Sequence, residues 1–68
     1  MAHYYVNKNS QPTGEHEIHK SDCSYLPDID NRVYLGSFDK CTDAVKEAKK
    51  HFDNVDGCYY CSIECHKK

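Results

Sequence analysis

Four residues near the two ends of the chain have the types and spacing of metal ligands. His19 stands four residues before Cys23, and the segment GCYYC places Cys58 and Cys61 in CxxC spacing. Thiolate sulfur and imidazole nitrogen are typical zinc ligands in tetrahedral structural sites. A CxxC turn brings two sulfurs within reach of one ion, and Gly57 before it permits a tight backbone approach. These four side chains are our candidate ligands for one zinc ion.

Two other interpretations of the C-terminal cysteines stay open from the sequence. A local site could use the neighbouring Cys65 and His66 together with the CxxC pair, although two adjacent ligands would strain a compact tetrahedron. A thioredoxin-like redox CxxC is typical of a βαβ unit in which the motif opens a helix. In this chain the motif follows the predicted helix, which disfavours the redox interpretation. Because the preferred ligands are the other four residues, Cys65 and His66 have no assigned role.

Length, charge and composition limit the classes of protein. The chain has 68 residues, five cysteines and a formal net charge of −2. It forms one domain over residues 1–68, and a core this small commonly needs a metal or a disulfide. We expect a cytoplasmic protein with reduced thiols and no membrane span, because there is no apolar h-region and no long apolar run. The acidic balance disfavours general nucleic-acid binding.

The elements that must position these ligands form an α+β pattern. Aromatic and β-branched segments predict about three strands of a small antiparallel sheet, near residues 3–7, 15–20 and 32–37. In the second strand we expect Ile18 to point inward and His19 to lie on the opposite face. Apolar residues at spacings of four, three and four predict one main helix over residues 38–52, with a cap at Ser37 or Asp39. A turn over residues 53–57 then leads into the C-terminal CxxC.

Several residues that could do chemistry are given simpler roles. Cys41 lies on the apolar stripe of the helix, so we interpret it as a buried free thiol that packs as a small hydrophobe. The six tyrosines could stack on bases, but packing in a thin core is the preferred interpretation. We predict that the remaining histidines, His3, His16 and His51, lie on the surface.

These residues together resemble a known family. The segments YYVNKNS, HEIHKSDCSYLP, NRVYLGSFDKCTDAVKEAKKHF and GCYYC are similar to the small Ada-type metal-binding modules, found alone or appended to bacterial nucleases and membrane proteins. The resemblance covers nearly the whole chain. It implies that His19, Cys23, Cys58 and Cys61 are the four zinc positions.

The resemblance also bears on activity. In the Ada repair protein, the first residue of the first ligand pair is a cysteine that accepts a methyl group from a DNA phosphotriester. His19 occupies that position in this chain, and an imidazole cannot replace the zinc-activated thiolate. We therefore expect a zinc-stabilised module without catalytic activity that mediates an interaction with a protein partner. A DNA-binding accessory domain and a thiol redox or metal-handling protein are the alternatives.

Overall fold

A four-stranded sheet and one helix make up most of the computed structural model, which describes residues 1–67. Lys68, the last residue of the predicted domain, lies outside the described residues. The strands are β1 (Ala2–Asn7), β2 (His16–Lys20), β3 (Arg32–Phe38) and β4 (Val55–Gly57), and the helix is α1 (Cys41–Ala48). One 3-10 turn, Ile29–Asn31, lies between β2 and β3, and another, Ile63–Cys65, lies after the CxxC motif. The α+β class is confirmed.

The sheet has four strands, which is roughly consistent with the prediction of about three, but it is mixed and not wholly antiparallel as predicted. Its order is β3-β1-β2-β4. The three predicted strands form two antiparallel pairs through β1, as expected. The additional strand β4 runs parallel to β2, in a segment that we predicted to be only a turn. Strand β4 is short, and the sequence does not predict it, because Asp53, Asn54 and Asp56 are all poor strand formers.

Helix α1 is shorter than predicted. Residue 38 belongs to β3, so the helix begins at Cys41 and not at the predicted start. Neither predicted cap is correct, because Lys40 occupies the capping position and makes no side-chain capping bond. After Ala48 the chain continues in turns, in which the Phe52 N–H donates to the Ala48 carbonyl over 3.0 Å. The helix therefore contains only the central part of the predicted segment.

The core lies between α1 and one face of the sheet. From the helix it takes Cys41, Ala44 and Ala48, which are small enough to let the helix pack closely on the strands. From the sheet it takes Tyr4, Val6, Ile18 and Leu35. The predicted inward direction of Ile18 is confirmed, since this side chain is fully buried. Strand side chains alternate between faces, so His19 lies on the face away from α1.

A disulfide joins the helix to the C-terminal segment. Cys41 is bonded to Cys65, which lies 24 residues later in the 3-10 turn after the CxxC motif. This corrects our interpretation of Cys41 as a free thiol. Its position on the buried stripe is confirmed. A core position does not exclude a disulfide here, because Cys41 and Cys65 meet in the core. The premise that all five thiols are reduced is wrong in the structure, and a cytoplasmic location stays a prediction.

The aromatic residues divide between the core and the surface. Tyr4 is buried, whereas four tyrosines expose more than half of their area, which corrects the expectation that they pack inside. The exposed four are Tyr25, Tyr34, Tyr59 and Tyr60. His16 is half-buried and stacks on Phe52 with ring centroids 3.8 Å apart, so the prediction of a surface histidine is wrong there. His3 and His51 are exposed as predicted.

In residues 1–67 the structure contains no helix with the length and apolar character that crossing a membrane requires.

Candidate metal centre

The four predicted ligands meet at one place in the structure. One ligand atom from each of His19, Cys23, Cys58 and Cys61 lies within 4.8 Å of all the others, which is close enough to hold a metal ion. The Cys23 and Cys58 sulfurs are 3.9 Å apart, and the Cys23 sulfur is 3.6 Å from Nδ1 of His19. His19 and Cys58 are buried, while Cys23 and Cys61 are partly exposed. The site therefore has a covered side and a solvent-facing side.

The pairing of β4 with β2 brings the two ends of the chain together. Gly57 is the register partner of Ile18, and the Cys58 N–H donates to the Ile18 carbonyl over 3.0 Å. This hydrogen bond places Cys58 beside the residue that follows Ile18, which is His19. The unpredicted strand thus fixes the position of the CxxC motif relative to the first ligand pair.

Cys23 reaches the site through a tight turn at the end of β2. Its N–H donates to the Lys20 carbonyl over 3.1 Å, and its own carbonyl accepts from the Leu26 N–H over 3.1 Å. These two successive turns bend the chain back over His19. The bend that the HxxxC spacing required is therefore present in the structure.

Backbone N–H groups point at the sulfur atoms. The Lys20 N–H donates to the Cys61 sulfur over 3.3 Å, and the Tyr60 N–H donates to the Cys58 sulfur over 3.4 Å. The Tyr25 backbone also supplies a hydrogen bond to Cys23. Hydrogen bonds of this kind favour the thiolate over the thiol. The loop conformation is thus suited to carrying negative charge on sulfur.

The protein alone does not provide enough compensation for three thiolates. Burial, together with the neighbouring Cys61, raises the pKa of Cys23 to about 12, although the backbone hydrogen bond opposes the rise. Burial likewise raises the pKa of Cys58. Crowded thiols of this kind ionise together only when a cation compensates them. The electrostatics of the cluster therefore fit a site that a metal ion completes.

Glu17 is the carboxylate nearest to the candidate histidine ligand. Its Oε1 lies 3.5 Å from Nε2 of His19, whereas the Cys23 sulfur lies next to the other ring nitrogen, Nδ1. Burial lowers the pKa of His19, so the ring is neutral with one proton to place. A proton on Nε2 facing the carboxylate leaves the Nδ1 lone pair for the metal, as in carboxylate–histidine–metal arrangements.

The geometry does not form the alternative local site. Cys65 is in the disulfide, and Nδ1 of His66 lies 3.0 Å from the Gly57 carbonyl oxygen and 3.1 Å from a carboxylate oxygen of Asp56.

The sequence analysis predicted neither the disulfide nor a place for Glu17 beside His19, although the sequence contained a signal for each. Three cysteine ligands leave two of five cysteines, an even number that permits one disulfide. Strand alternation places Glu17 on the same face as His19.

Comparison of this chain with family models, with curated proteins and with solved structures finds no match. The resemblance to Ada-type modules therefore stays a prediction.

Proposed function

We propose that this protein is a zinc-stabilised module without catalytic activity, which displays a surface to a protein partner. The observation that carries the proposal is the convergence of three sulfurs and one imidazole nitrogen within 4.8 Å of one another. Soft thiolate ligands with imidazole in a tetrahedral arrangement favour zinc among the common divalent metals.

The spacing of the ligand atoms fits the size of a zinc tetrahedron. With bonds of about 2.3 Å to sulfur and about 2.05 Å to nitrogen, the edges are about 3.8 Å between sulfurs and about 3.6 Å from sulfur to nitrogen. The distance from Cys23 to Cys58 is 3.9 Å, and that from Cys23 to His19 is 3.6 Å. These two distances therefore match the edges of a zinc tetrahedron, and every other pair of ligand atoms lies within 4.8 Å.

The position of the site in the chain gives the metal a stabilising role. Cys23 and Cys58 are 35 residues apart, and the segment between them contains β3, α1 and β4. An ion that joins them closes this long segment. Metal binding supplies about 10 kcal/mol or more of apparent free energy in small zinc domains, whereas a core of this size alone supplies only about 3–5 kcal/mol.

Four protein ligands favour a structural site over a catalytic one. A catalytic zinc keeps an open coordination position for water or substrate, whereas a structural zinc is closed by four residues. The raised pKa of Cys58 also argues against a redox CxxC, because such motifs depend on a lowered cysteine pKa. Within the Ada-type resemblance, His19 in place of the acceptor cysteine supports the same conclusion.

The surface beside the metal centre supports an interaction with a protein partner. Tyr25 and Tyr60 stack with ring centroids 4.4 Å apart, and Tyr59 packs edge-on against Tyr60 at 5.3 Å. All three expose more than half of their area, as does the nearby Ile63. Exposed tyrosines in rigid positions are typical of the residues that dominate protein interfaces. The CxxC loop thus holds an aromatic surface that the core does not use.

Metal content tests the proposal directly. Protein purified without chelators should carry one zinc per chain by elemental analysis and by native mass spectrometry. Cobalt substituted for zinc should give the absorption spectrum of a tetrahedral thiolate site. Cys58→Ser should lose the bound zinc and the cobalt spectrum. His51→Ala, which removes an exposed histidine outside the site, should keep the zinc and the spectrum. A chain that stays metal-free, yet unfolds cooperatively and does not take up zinc, would refute the proposal.

A further inference from the structure

The disulfide lies at the far end of the segment that carries two of the four ligands. Cys65 follows Cys61 by four residues, and the disulfide ties it to Cys41, the first residue of α1. The near end of the same segment is held by β4, whose last residue, Gly57, pairs with β2. The CxxC loop is therefore anchored on both sides, non-covalently before Cys58 and covalently after Cys61.

Hydrogen bonds connect the disulfide-bearing turn to the ligand loop. The Cys65 N–H donates to the Ser62 carbonyl over 2.9 Å, and the Ser62 N–H donates to the Cys58 carbonyl over 2.9 Å. Beyond the disulfide, the Lys67 N–H donates to the Asp56 carboxylate over 2.8 Å. The segment after the CxxC motif thus folds back onto the strand that precedes it.

The packing between these two parts of the chain is tight. A Cβ atom placed on Gly57 would lie 2.6 Å from the Cys65 Cβ and 2.6 Å from the Ser62 carbonyl oxygen. Movement of Cys65 therefore changes the contacts of the residue next to Cys58. Because close-packed interiors transmit displacement between neighbours, the state of the disulfide affects the geometry of the ligand loop.

We propose that the Cys41–Cys65 disulfide is a redox-controlled clamp that sets the affinity of the metal centre. The inference rests on the proposed metal site and adds a regulator to it. In the oxidised state the clamp holds Cys58 and Cys61 near their binding geometry, so less ordering is needed when the ion binds. In the reduced state the C-terminal segment is freed, and the ion must order it again.

The switching step is a two-electron thiol–disulfide exchange. A dithiol reductant attacks one sulfur of the pair, its own two thiols form a disulfide, and Cys41 and Cys65 are each released as thiols. Each cysteine borders a surface groove: Cys41 one of about 230 Å³, and Cys65 one of about 420 Å³. Both cysteines are buried, so attack by the reductant requires a local opening of the C-terminal turn next to these grooves.

The test compares zinc affinity in the two redox states. The oxidised form is prepared with zinc bound, which protects the ligand thiols, and the reduced form by treatment with a phosphine, which does not bind zinc as dithiols do. Both forms are separated from reagents without oxygen, and mass spectrometry verifies the disulfide. Competition with a chromophoric chelator then measures zinc affinity. We expect the reduced form to bind about tenfold more weakly or worse, as when groups that orient metal ligands are lost.

Two variants separate the clamp from general stability. Cys41→Ala/Cys65→Ala should have the weaker affinity in both redox conditions. Leu35→Val truncates the same core at a buried residue but leaves the disulfide intact, so it should melt earlier and keep the full redox response. By linkage, zinc should lower the reduction potential of the disulfide. A tenfold difference in zinc affinity between the two redox forms corresponds to about 30 mV.

The outcomes that overturn the clamp differ from those that overturn the metal site. Zinc affinity equal within twofold in the oxidised, reduced and double-variant proteins would refute the clamp while the metal site stands. A second zinc equivalent bound only by the reduced wild-type protein would also refute it, because Cys41 and Cys65 would then be ligands. Failure of every form to bind zinc would refute both proposals together.

Discussion

Gly57→Ala should damage both the stability of this protein and its metal centre without removing a candidate ligand. The added Cβ would lie 2.6 Å from the Cys65 Cβ, 2.6 Å from the Ser62 carbonyl oxygen and 2.8 Å from the Cys65 carbonyl carbon. Two of these neighbours are backbone atoms, which no change of rotamer can move away. Ordinary contacts begin at 3.4 Å, so the two segments must separate by 3.4 − 2.6 = 0.8 Å.

Overpacking of a closed site costs about 1–3 kcal/mol. In a domain of this size, 1 kcal/mol corresponds to a shift in Tm of about 4–8 °C. We therefore expect the metal-loaded variant to melt about 8–16 °C lower, taking a cost of about 2 kcal/mol. The displacement falls between Gly57, which precedes Cys58, and the turn after Cys61, so zinc affinity should also fall about tenfold. Calorimetry measures the first effect, and chelator competition measures the second.

Gly14→Ala is the matched control. Gly14 has a φ of +99°, and nothing lies within 4 Å of a Cβ placed there. Its cost is backbone strain of about 1 kcal/mol, without displacement of any ligand. This variant should melt lower with unchanged zinc affinity. If Gly57→Ala kept the wild-type Tm and zinc affinity, the packing of the C-terminal turn on β4 would be wrong, and the argument built on it would fail.

Three further predictions concern the metal centre. Cys58→Ser should abolish zinc binding and the cooperative melting transition together, since the metal supplies about 10 kcal/mol or more; a sharp transition by circular dichroism in the metal-free variant would contradict this. Glu17→Gln should weaken zinc binding about tenfold, which lowers the zinc-linked stability by about 1.4 kcal/mol and the Tm of the metal-loaded protein by about 6–11 °C, whereas Glu47→Gln on α1 should change neither zinc affinity nor the cobalt spectrum. Incubation with methyl-phosphotriester DNA should leave the protein mass unchanged, because His19 stands where a thiolate acceptor is needed; a gain of one methyl group on Cys23 would refute the assignment of a non-catalytic module.

Local chemistry made the candidate metal cluster and the main elements predictable. The spacing from His19 to Cys23 and the CxxC motif indicate coordination whatever the fold, because each pair spans a single turn. The three long strands follow from their aromatic and β-branched content, and the centre of α1 follows from its apolar stripe. In the second strand, the choice of Ile18 for the core then placed His19 on the other face by alternation. In each case the signal lies within a few neighbouring residues.

The remaining features were decided by contacts between distant parts of the chain. Strand β4 has only three residues, and it exists because β2 offers it hydrogen bonds, while its own residues favour a turn. The disulfide requires that the start of α1 meet a turn 24 residues later, which the cysteine count permits but does not specify. Of the four exposed tyrosines, Tyr34 lies on β3 next to buried Leu35, so strand alternation turns it to the outer face. Tyr25, Tyr59 and Tyr60 lie outside the strands. Spacing along the chain indicates the candidate metal ligands, but only the tertiary fold brings Gly57 against Cys65, because that contact depends on the simultaneous placement of β4, α1 and the C-terminal turn.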